Sequence, residues 1–118
     1  GVKVTIPELK PEITIEDFAR VDLRVATVVR IEAIPRAKRL LKLEIDLGEP
    51  ELRTLVAGIA ESYTPDELIG RQVIVVANLK PAKLMGVLSK GMLLAASSEQ
   101  QPVALTVDQQ MPPGSAIK

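Results

Sequence analysis

The segment from Thr64 to Leu79, TPDELIGRQVIVVANL, decides the fold because it places a short helix directly before a buried strand. Thr64-Pro65-Asp66-Glu67 combines an N-cap threonine, a proline at the first helical position and a glutamate that completes a capping box. Gly70 ends the predicted helix. The apolar run from Gln72 to Leu79 then predicts a strand that is buried on both faces.

Three strand-like segments precede this helix, and two or three follow it. Leu41 to Leu47 alternates apolar and polar residues, and Arg53 to Ala57 predicts a third strand. Met92 to Ala96 and Val103 to Val107 predict strands after the helix. The first segment, Val21 to Ala33, is rich in β-branched residues. Its period of two puts five residues on one face: Leu23, Val25, Thr27, Val29 and Ile31.

A second short helix is predicted near the start of the chain. Thr14 offers an N-cap, and acidic residues follow in the first turn. We expect Ile15, Phe18 and Ala19 to seat this helix on the core. Residues 1–12 contain two prolines and alternating charges, so they are interpreted as a linker or extended arm, with one domain at 13–118.

The order of these elements predicts an all-β fold. Three strands, a short helix and then further strands match the OB-fold, a five-stranded Greek-key barrel with the helix between strands 3 and 4. The short N-terminal helix would precede the barrel. An SH3-like barrel or a small sandwich are the alternatives, because the strand pattern alone does not separate them.

The charges of the chain are segregated although they cancel. It has 15 basic and 15 acidic residues among 118. One basic cluster lies within Ile34 to Leu43, and a second lies within Gly70 to Ser98, where no acid occurs. The clusters comprise Arg36, Lys38, Arg39 and Lys42, and then Arg71, Lys80, Lys83 and Lys90. Such segregation predicts a cationic face that attracts an anionic partner.

The residue types that carry most chemistry are missing. The chain has no His and no Cys, and its aromatic residues are Phe18 and Tyr63 alone. No phosphate-binding loop or carboxylate metal cluster is visible, so we expect no catalysis, no metal and no cofactor. With so few stacking side chains, recognition of shape and backbone in a structured RNA is favoured over unstructured single strands. No apolar run is long enough for a membrane helix, and a soluble, cytoplasmic protein is expected.

Several motifs together resemble one family. They are Phe18 to Val25, Val56 to Ala60, Tyr63 to Gly70, Asn78-Leu79-Lys80-Pro81-Ala82-Lys83-Leu84-Met85-Gly86, and Ser89-Lys90-Gly91-Met92 with the four residues after it. In these motifs the chain resembles the tRNA-binding domain family, over about Ile13 to Ile117. That family includes the C-terminal domain of many methionyl-tRNA synthetases, free-standing structure-specific tRNA-binding proteins and small secretion-related chaperones.

The resemblance implies an OB-fold that binds the outer corner of tRNA by shape and acts as a homodimer. Together with the charge pattern, it predicts a tRNA-binding site formed by Arg36, Arg39, Lys42, Asn78, Lys80, Lys83, Ser89, Lys90 and Met92. The basic residues would hold phosphates, while Asn78, Ser89 and Met92 would shape the pocket. The chain departs from the family at Lys38, which replaces an Asp, and at Arg39, which replaces a Lys.

The predicted function is that of a non-catalytic module appended to the C-terminus of a methionyl-tRNA synthetase, where it would raise tRNA affinity for the linked catalytic domain. Gly1 in place of Met and the linker-like residues 1–12 favour a segment of a longer chain. Three alternatives stay open: a free-standing tRNA-binding protein, a chaperone-like or dimerisation module of the same fold, and a general polyanion binder.

Overall fold

The computed structural model describes residues 6–97 and 101–118. These residues contain two short helices, α1 (Ile15–Phe18) and α2 (Pro65–Leu68). The strands in chain order are β1 (Leu23–Ile34), β2 (Ala37–Asp46), β3 (Arg53–Ala57), β4 (Gln72–Val76), β5 (Ala82–Leu84), β6 (Val87–Ser89), β7 (Met92–Leu93), β8 (Ala95–Ala96), β9 (Val103–Ala104) and β10 (Ala116–Ile117).

The main sheet is antiparallel and closes on itself. Its strand order is β3-β2-β1-β4-β7, with β10 added beside β1. The two ends of the sheet meet because the Lys90 backbone amide donates to the Thr54 carbonyl at 2.9 Å and the Val56 amide donates to Ser89 Oγ at 3.0 Å. A three-strand meander, a helix and a return strand beside the first is the Greek-key order of an OB barrel.

The predicted all-β OB-fold, with a helix between the third and fourth strands and another before the first, is confirmed. The described residues hold ten strands, of which five, β3-β2-β1-β4-β7, form the continuous path of the main sheet. The predicted strand at Met92 to Ala96 is divided into β7 and β8, and the predicted Val103 to Val107 is shortened to β9. Two small ribbons, β5–β6 and β8–β9, are added to the barrel.

Helix α2 forms where the sequence places it. Glu67 Oε1 accepts hydrogen bonds from the Thr64 hydroxyl at 2.9 Å and the Thr64 amide at 3.4 Å, which satisfies an N-terminal donor of the helix. Leu68 is fully buried and anchors the helix on the core. Gly70 has a φ of +85° and donates its amide to the Val28 carbonyl at 2.8 Å. The helix therefore packs against β1 and turns the chain into β4.

The core follows the predicted alternation in β2 and the predicted double burial of β4. All five residues of β4 are buried. The inward positions of the predicted strand from Leu41 to Leu47 are buried as predicted: Leu41, Leu43, Ile45 and Leu47. The main cluster is completed from the other strands and α2 by Ala26, Val28, Ile31, Leu55, Ala57, Ile59, Leu68, Val73, Val75 and Leu93.

The single face predicted for β1 holds only in part. Ile31 of that face is buried in the core, but Ala26 and Val28 also face the core and Val29 is 40% exposed. A register shift between Val28 and Arg30 in the pairing with β2 is the cause, because an extra residue in a strand reverses the faces beyond it. Val25 is buried nevertheless, since the C-terminal segment covers it: its amide donates to the Ser115 carbonyl at 2.9 Å.

Helix α1 has the predicted cap but not the predicted packing. Thr14 Oγ1 accepts a hydrogen bond from the Asp17 amide at 3.1 Å. No residue of the helix is buried, and Ile15 is 73% exposed, so the expectation that the helix seats on the core is wrong. A helix of four residues presents too little apolar surface to displace the strands that already fill the barrel. None of the helices in the described residues has the length and apolar character needed to cross a bilayer.

Candidate nucleic-acid interface

The connection from β4 to β7 carries the three lysines of the second basic cluster and folds as the β5–β6 hairpin. Ala82 pairs with Ser89 and Leu84 with Val87. Lys80, Lys83 and Lys90 are exposed on this connection. None of these lysines has a carboxylate within 4.0 Å among residues 6–97 and 101–118. Their charge is therefore available to an anionic partner.

The base of the hairpin is fixed by Ser89 and Gly91. Ser89 is 3% exposed; its Oγ accepts from the Val56 amide and donates to the Gly91 carbonyl, both at 3.0 Å. Gly91 has a φ of +139°, and a β-carbon there would lie 2.9 Å from the Val76 carbonyl oxygen. The predicted pocket residue Ser89 thus uses its hydroxyl inside the protein and positions Lys90 rather than offering a polar atom to a ligand.

Asn78 also serves the scaffold. Its Oδ1 accepts from the Asp22 amide at 2.8 Å, and its Nδ2 donates to the Arg20 carbonyl at 2.7 Å. These bonds tie the end of β4 to the turn that leads from α1 into β1. Met92, the third predicted pocket residue, begins β7 opposite Val76 and is 47% exposed, so it can contact a ligand.

Arg53 is a functional candidate that the sequence reasoning missed. Its Nη1 donates to the Ala77 carbonyl at 2.7 Å and to the Lys90 carbonyl at 3.2 Å, at the two ends of the hairpin connection. Its Nε and Nη2 bind both oxygens of Glu49, at 2.9 and 2.7 Å. Hydrogen bonding and charge from Arg53 lower the pKa of Glu49 below its ordinary value, with a smaller contribution from Lys90. The available signal was a single basic residue within an acidic stretch.

A groove of about 980 Å³ lies between the hairpin and the strands β2 and β3. Lys42 from β2, Arg53 from β3 and Lys90 from the hairpin line it, together with Glu49 and Glu51. Apolar side chains complete the wall, among them Leu52, Leu79, Val87 and Leu88. OB barrels bind oligonucleotides on the face of strands 2 and 3 and on the two adjoining loops, which is where this groove lies.

The first basic cluster lies at the turn between β1 and β2 and on β2 itself, and apart from Lys42 it is outside this groove. Arg36 forms the turn, with a φ of +67°, and Lys38 is exposed. The stretch of sequence around Arg39 contains no acid, but in the structure its Nε lies 2.9 Å from Glu61 Oε1. That pair is mostly exposed and contributes little, so Arg39 can exchange Glu61 for another anion. Lys42 from the first cluster and Lys90 from the second both line the groove.

Carboxylates do not gather into a metal site in the described part of the chain, where no group of three or more Asp and Glu could hold an ion.

Comparison with known proteins identifies the family of this arrangement. A family model described as "Putative tRNA binding domain" matches residues 23–116. Methionine--tRNA ligase of Thermotoga maritima is 53% identical over 113 residues, which are 96% of this chain and 18% of that protein. The ligase of Archaeoglobus fulgidus is 50% identical over 110 residues, 93% of this chain and 17% of that protein. The chain thus spans less than a fifth of these relatives.

Two solved structures share the fold. A MetRS-related protein from Pyrococcus horikoshii has a TM-score of 0.85 and 37% identity, covering 92% of this chain and 100% of that one. The chaperone CsaA of Bacillus anthracis has a TM-score of 0.84 and 33% identity, with the same coverage. Because the family model and these two structures each cover most of the sequence, the chain belongs to the tRNA-binding domain family.

Proposed function

We propose that this chain is a non-catalytic module that binds folded tRNA through its hairpin and the adjoining face of β2 and β3. The observation that carries the proposal is the set of lysines without carboxylate partners in the described structure, Lys42, Lys80, Lys83 and Lys90, around the face where OB barrels bind oligonucleotides. Phosphate contacts dominate the affinity of proteins for nucleic acids, and lysines supply them.

Within this site we assign two kinds of role. The four lysines hold phosphates, together with Arg36 in the β1–β2 connection and Arg39 on β2. Met92 provides an exposed apolar contact, and Asn78 and Ser89 hold the scaffold in shape. The relatives that match are methionine--tRNA ligases. We therefore propose that the module is joined to the C-terminal side of such an enzyme in the cytoplasm, with residues 1–12 as a linker and 13–118 as the domain, and raises the effective tRNA concentration at the catalytic domain.

The module is also proposed to act as a homodimer. Large apolar side chains line the segment that leads into α1, where Leu9 is 98% and Ile13 67% exposed. An exposed apolar segment of this extent is typical of an interaction site. Sedimentation equilibrium on the chain should give twice the monomer mass, and Ile13→Asp with Ile15→Asp should return it to the monomer. A monomeric wild-type chain would contradict the dimer.

Salt dependence tests the tRNA proposal. With about four phosphates contacted, the logarithm of the tRNA affinity should fall with the logarithm of salt concentration at a slope on the order of −3. Unstructured RNA of equal length should compete poorly. A flat salt response, or equal competition by unstructured RNA, would overturn the proposal in favour of a protein-binding module or a general polyanion binder.

Charge reversal tests the position of the site. Lys83→Glu changes a hairpin charge, whereas Arg71→Glu makes the same net change at the start of β4, at its other end from the hairpin. We expect Lys83→Glu to weaken tRNA binding at least about tenfold and to reduce the salt slope by about one. Arg71→Glu should change affinity far less. Equal losses in the two variants would refute the site and leave only non-specific charge attraction.

The rival function, binding of unfolded or secretory protein, is favoured by one observation. The β4–β7 connection exposes Leu79, Leu84 and Leu88 beside its lysines, and the structurally similar CsaA of Bacillus anthracis is a chaperone. Binding of an apolar peptide at high salt, together with no binding of tRNA at low salt, would support this rival. Retention of tRNA at low salt with the predicted slope would exclude it as the main activity.

A further inference from the structure

The tip of the β5–β6 hairpin is built from two residues in the left-handed region. Met85 has a φ of +49° and Gly86 a φ of +80°, and Leu84 pairs directly with Val87 across the turn. This is the two-residue hairpin turn in which both central residues have positive φ, and asparagine, aspartate or glycine normally fills its first position. Methionine there carries a steric cost that asparagine would reduce.

Burial of the Met85 side chain against the described residues does not offset the strain of its positive φ. Met85 is 54% exposed at the outermost point of the hairpin, and the flanking Leu84 is 41% exposed. A long apolar side chain kept at a strained, solvent-exposed turn is a reason to look for a partner outside the chain. The partner's charge follows from the stem of the hairpin, where Lys80 and Lys83 are exposed and have no carboxylate within 4.0 Å among the described residues.

We propose that Met85 packs its thioether side chain on the face of an exposed nucleobase of the bound tRNA while Lys80 and Lys83 hold the neighbouring phosphates. This inference rests on the proposed tRNA function. The chain has one Phe and one Tyr, so it lacks the aromatic platforms that usually accept bases. Methionine is unbranched and polarisable, and its sulfur makes favourable contacts with aromatic rings. Methionine also serves as an apolar wedge against base steps in other nucleic-acid complexes.

A polyanion without bases and an apolar peptide would each contact only part of this hairpin. Inorganic polyphosphate can satisfy the lysines but offers no ring for Met85. An apolar peptide can satisfy Met85 but gains nothing from Lys80 and Lys83. The pairing of an apolar tip with a cationic stem fits a polymer that carries both flat aromatic faces and negative charge.

The test is Met85→Asn, measured against tRNA and against inorganic polyphosphate. Because asparagine tolerates the left-handed conformation, the thermal unfolding midpoint should stay the same or rise. The affinity for tRNA should fall about tenfold, the size of a lost base-stacking contact. The affinity for polyphosphate should stay within about twofold. Met85→Leu should keep most of the tRNA affinity.

Met111→Asn is the matched control. Met111 is exposed to a similar degree, at 41%, and its backbone is held by Gln72 at the opposite end of β4. This variant should bind tRNA as the wild type does. Unchanged tRNA affinity in Met85→Asn, or an equal loss of polyphosphate and tRNA affinity, would overturn the inference. Failure of the wild-type chain to bind tRNA would instead overturn the proposed function.

Discussion

Replacement of Arg53 by methionine should destabilise the domain and weaken tRNA binding together. Arg53 lies on β3, its side chain is 19% exposed, and it donates to carbonyl groups at both ends of the hairpin connection. Methionine retains the length of the side chain but supplies no donor. The Ala77 and Lys90 carbonyls then lose their charged partner, and Glu49 loses both hydrogen bonds to its carboxylate.

The magnitude follows from the exposure of each contact. The 2.7 Å bond to the partly buried Ala77 carbonyl has a charged donor and contributes about 1.5–3 kcal/mol. The 3.2 Å bond to Lys90 is exposed and adds little. The Glu49 carboxylate is 43% exposed and can be rehydrated, so its pair adds about 0–1 kcal/mol. Arg53→Met should therefore lower the free energy of unfolding by about 1.5–4 kcal/mol and the unfolding midpoint by about 6–16 °C.

Urea unfolding followed by far-ultraviolet circular dichroism measures this change. Arg30→Met is the matched control, because Arg30 makes one 3.1 Å contact with Glu44 and is 63% exposed. The control should cost about 0–1 kcal/mol. If Arg53→Met costs no more than Arg30→Met, the assignment of Arg53 as the residue that holds the hairpin connection is refuted. A stability loss with unchanged tRNA affinity would refute the link between that hold and the position of Lys90.

Three further changes test the same scaffold. Gly91→Ala should cost at least about 2 kcal/mol in urea unfolding, because its β-carbon would lie 2.9 Å from the Val76 carbonyl oxygen at a φ of +139°. Ser89→Ala should cost about 1–3 kcal/mol, since it leaves the Val56 amide unpaired, and should weaken tRNA binding without changing the salt slope. The pKa of Glu49 is lowered in the folded protein below its ordinary value of 4.5. At pH values above that value, its ion pair with Arg53 therefore stabilises the fold, and this stabilisation is lost as the pH falls through the lowered pKa. The stability difference between wild type and Glu49→Gln, measured from about pH 7 to about pH 3, should therefore shrink in acid.

The elements that the sequence predicted correctly are those whose signals are local. Each of these signals lies within a few residues of the element it predicts. They are the N-cap and glycine around α2, the alternation in β2 and the continuous apolar run of β4. The failure in β1 has a different origin. A register shift at Val29 depends on the partner strand, and the burial of Val25 depends on the Gly114–Ser115 segment, about 90 residues later in the chain.

Helix α1 shows the limit of an amphipathic reading for a very short helix. Thr14 predicted the correct start, but the presence of Ile15 and Phe18 did not predict that these side chains would remain outside the core. An apolar residue in a four-residue helix is equally compatible with a core contact and with a contact to another chain. Nothing in the sequence pattern distinguishes a core contact from a contact to another chain.

The motif residues play two different structural roles that their spacing in the sequence does not show. The motif places Asn78, Ser89 and the hairpin lysines side by side in the sequence, and loss of any one of them is expected to reduce binding. In the structure the amide of Asn78 and the hydroxyl of Ser89 are used within the protein, whereas the lysine ammonium groups have no carboxylate partner in the described part of the chain. A loss of affinity therefore does not identify a contact residue. The salt slope does, because only a residue that displaces counterions from a phosphate changes it.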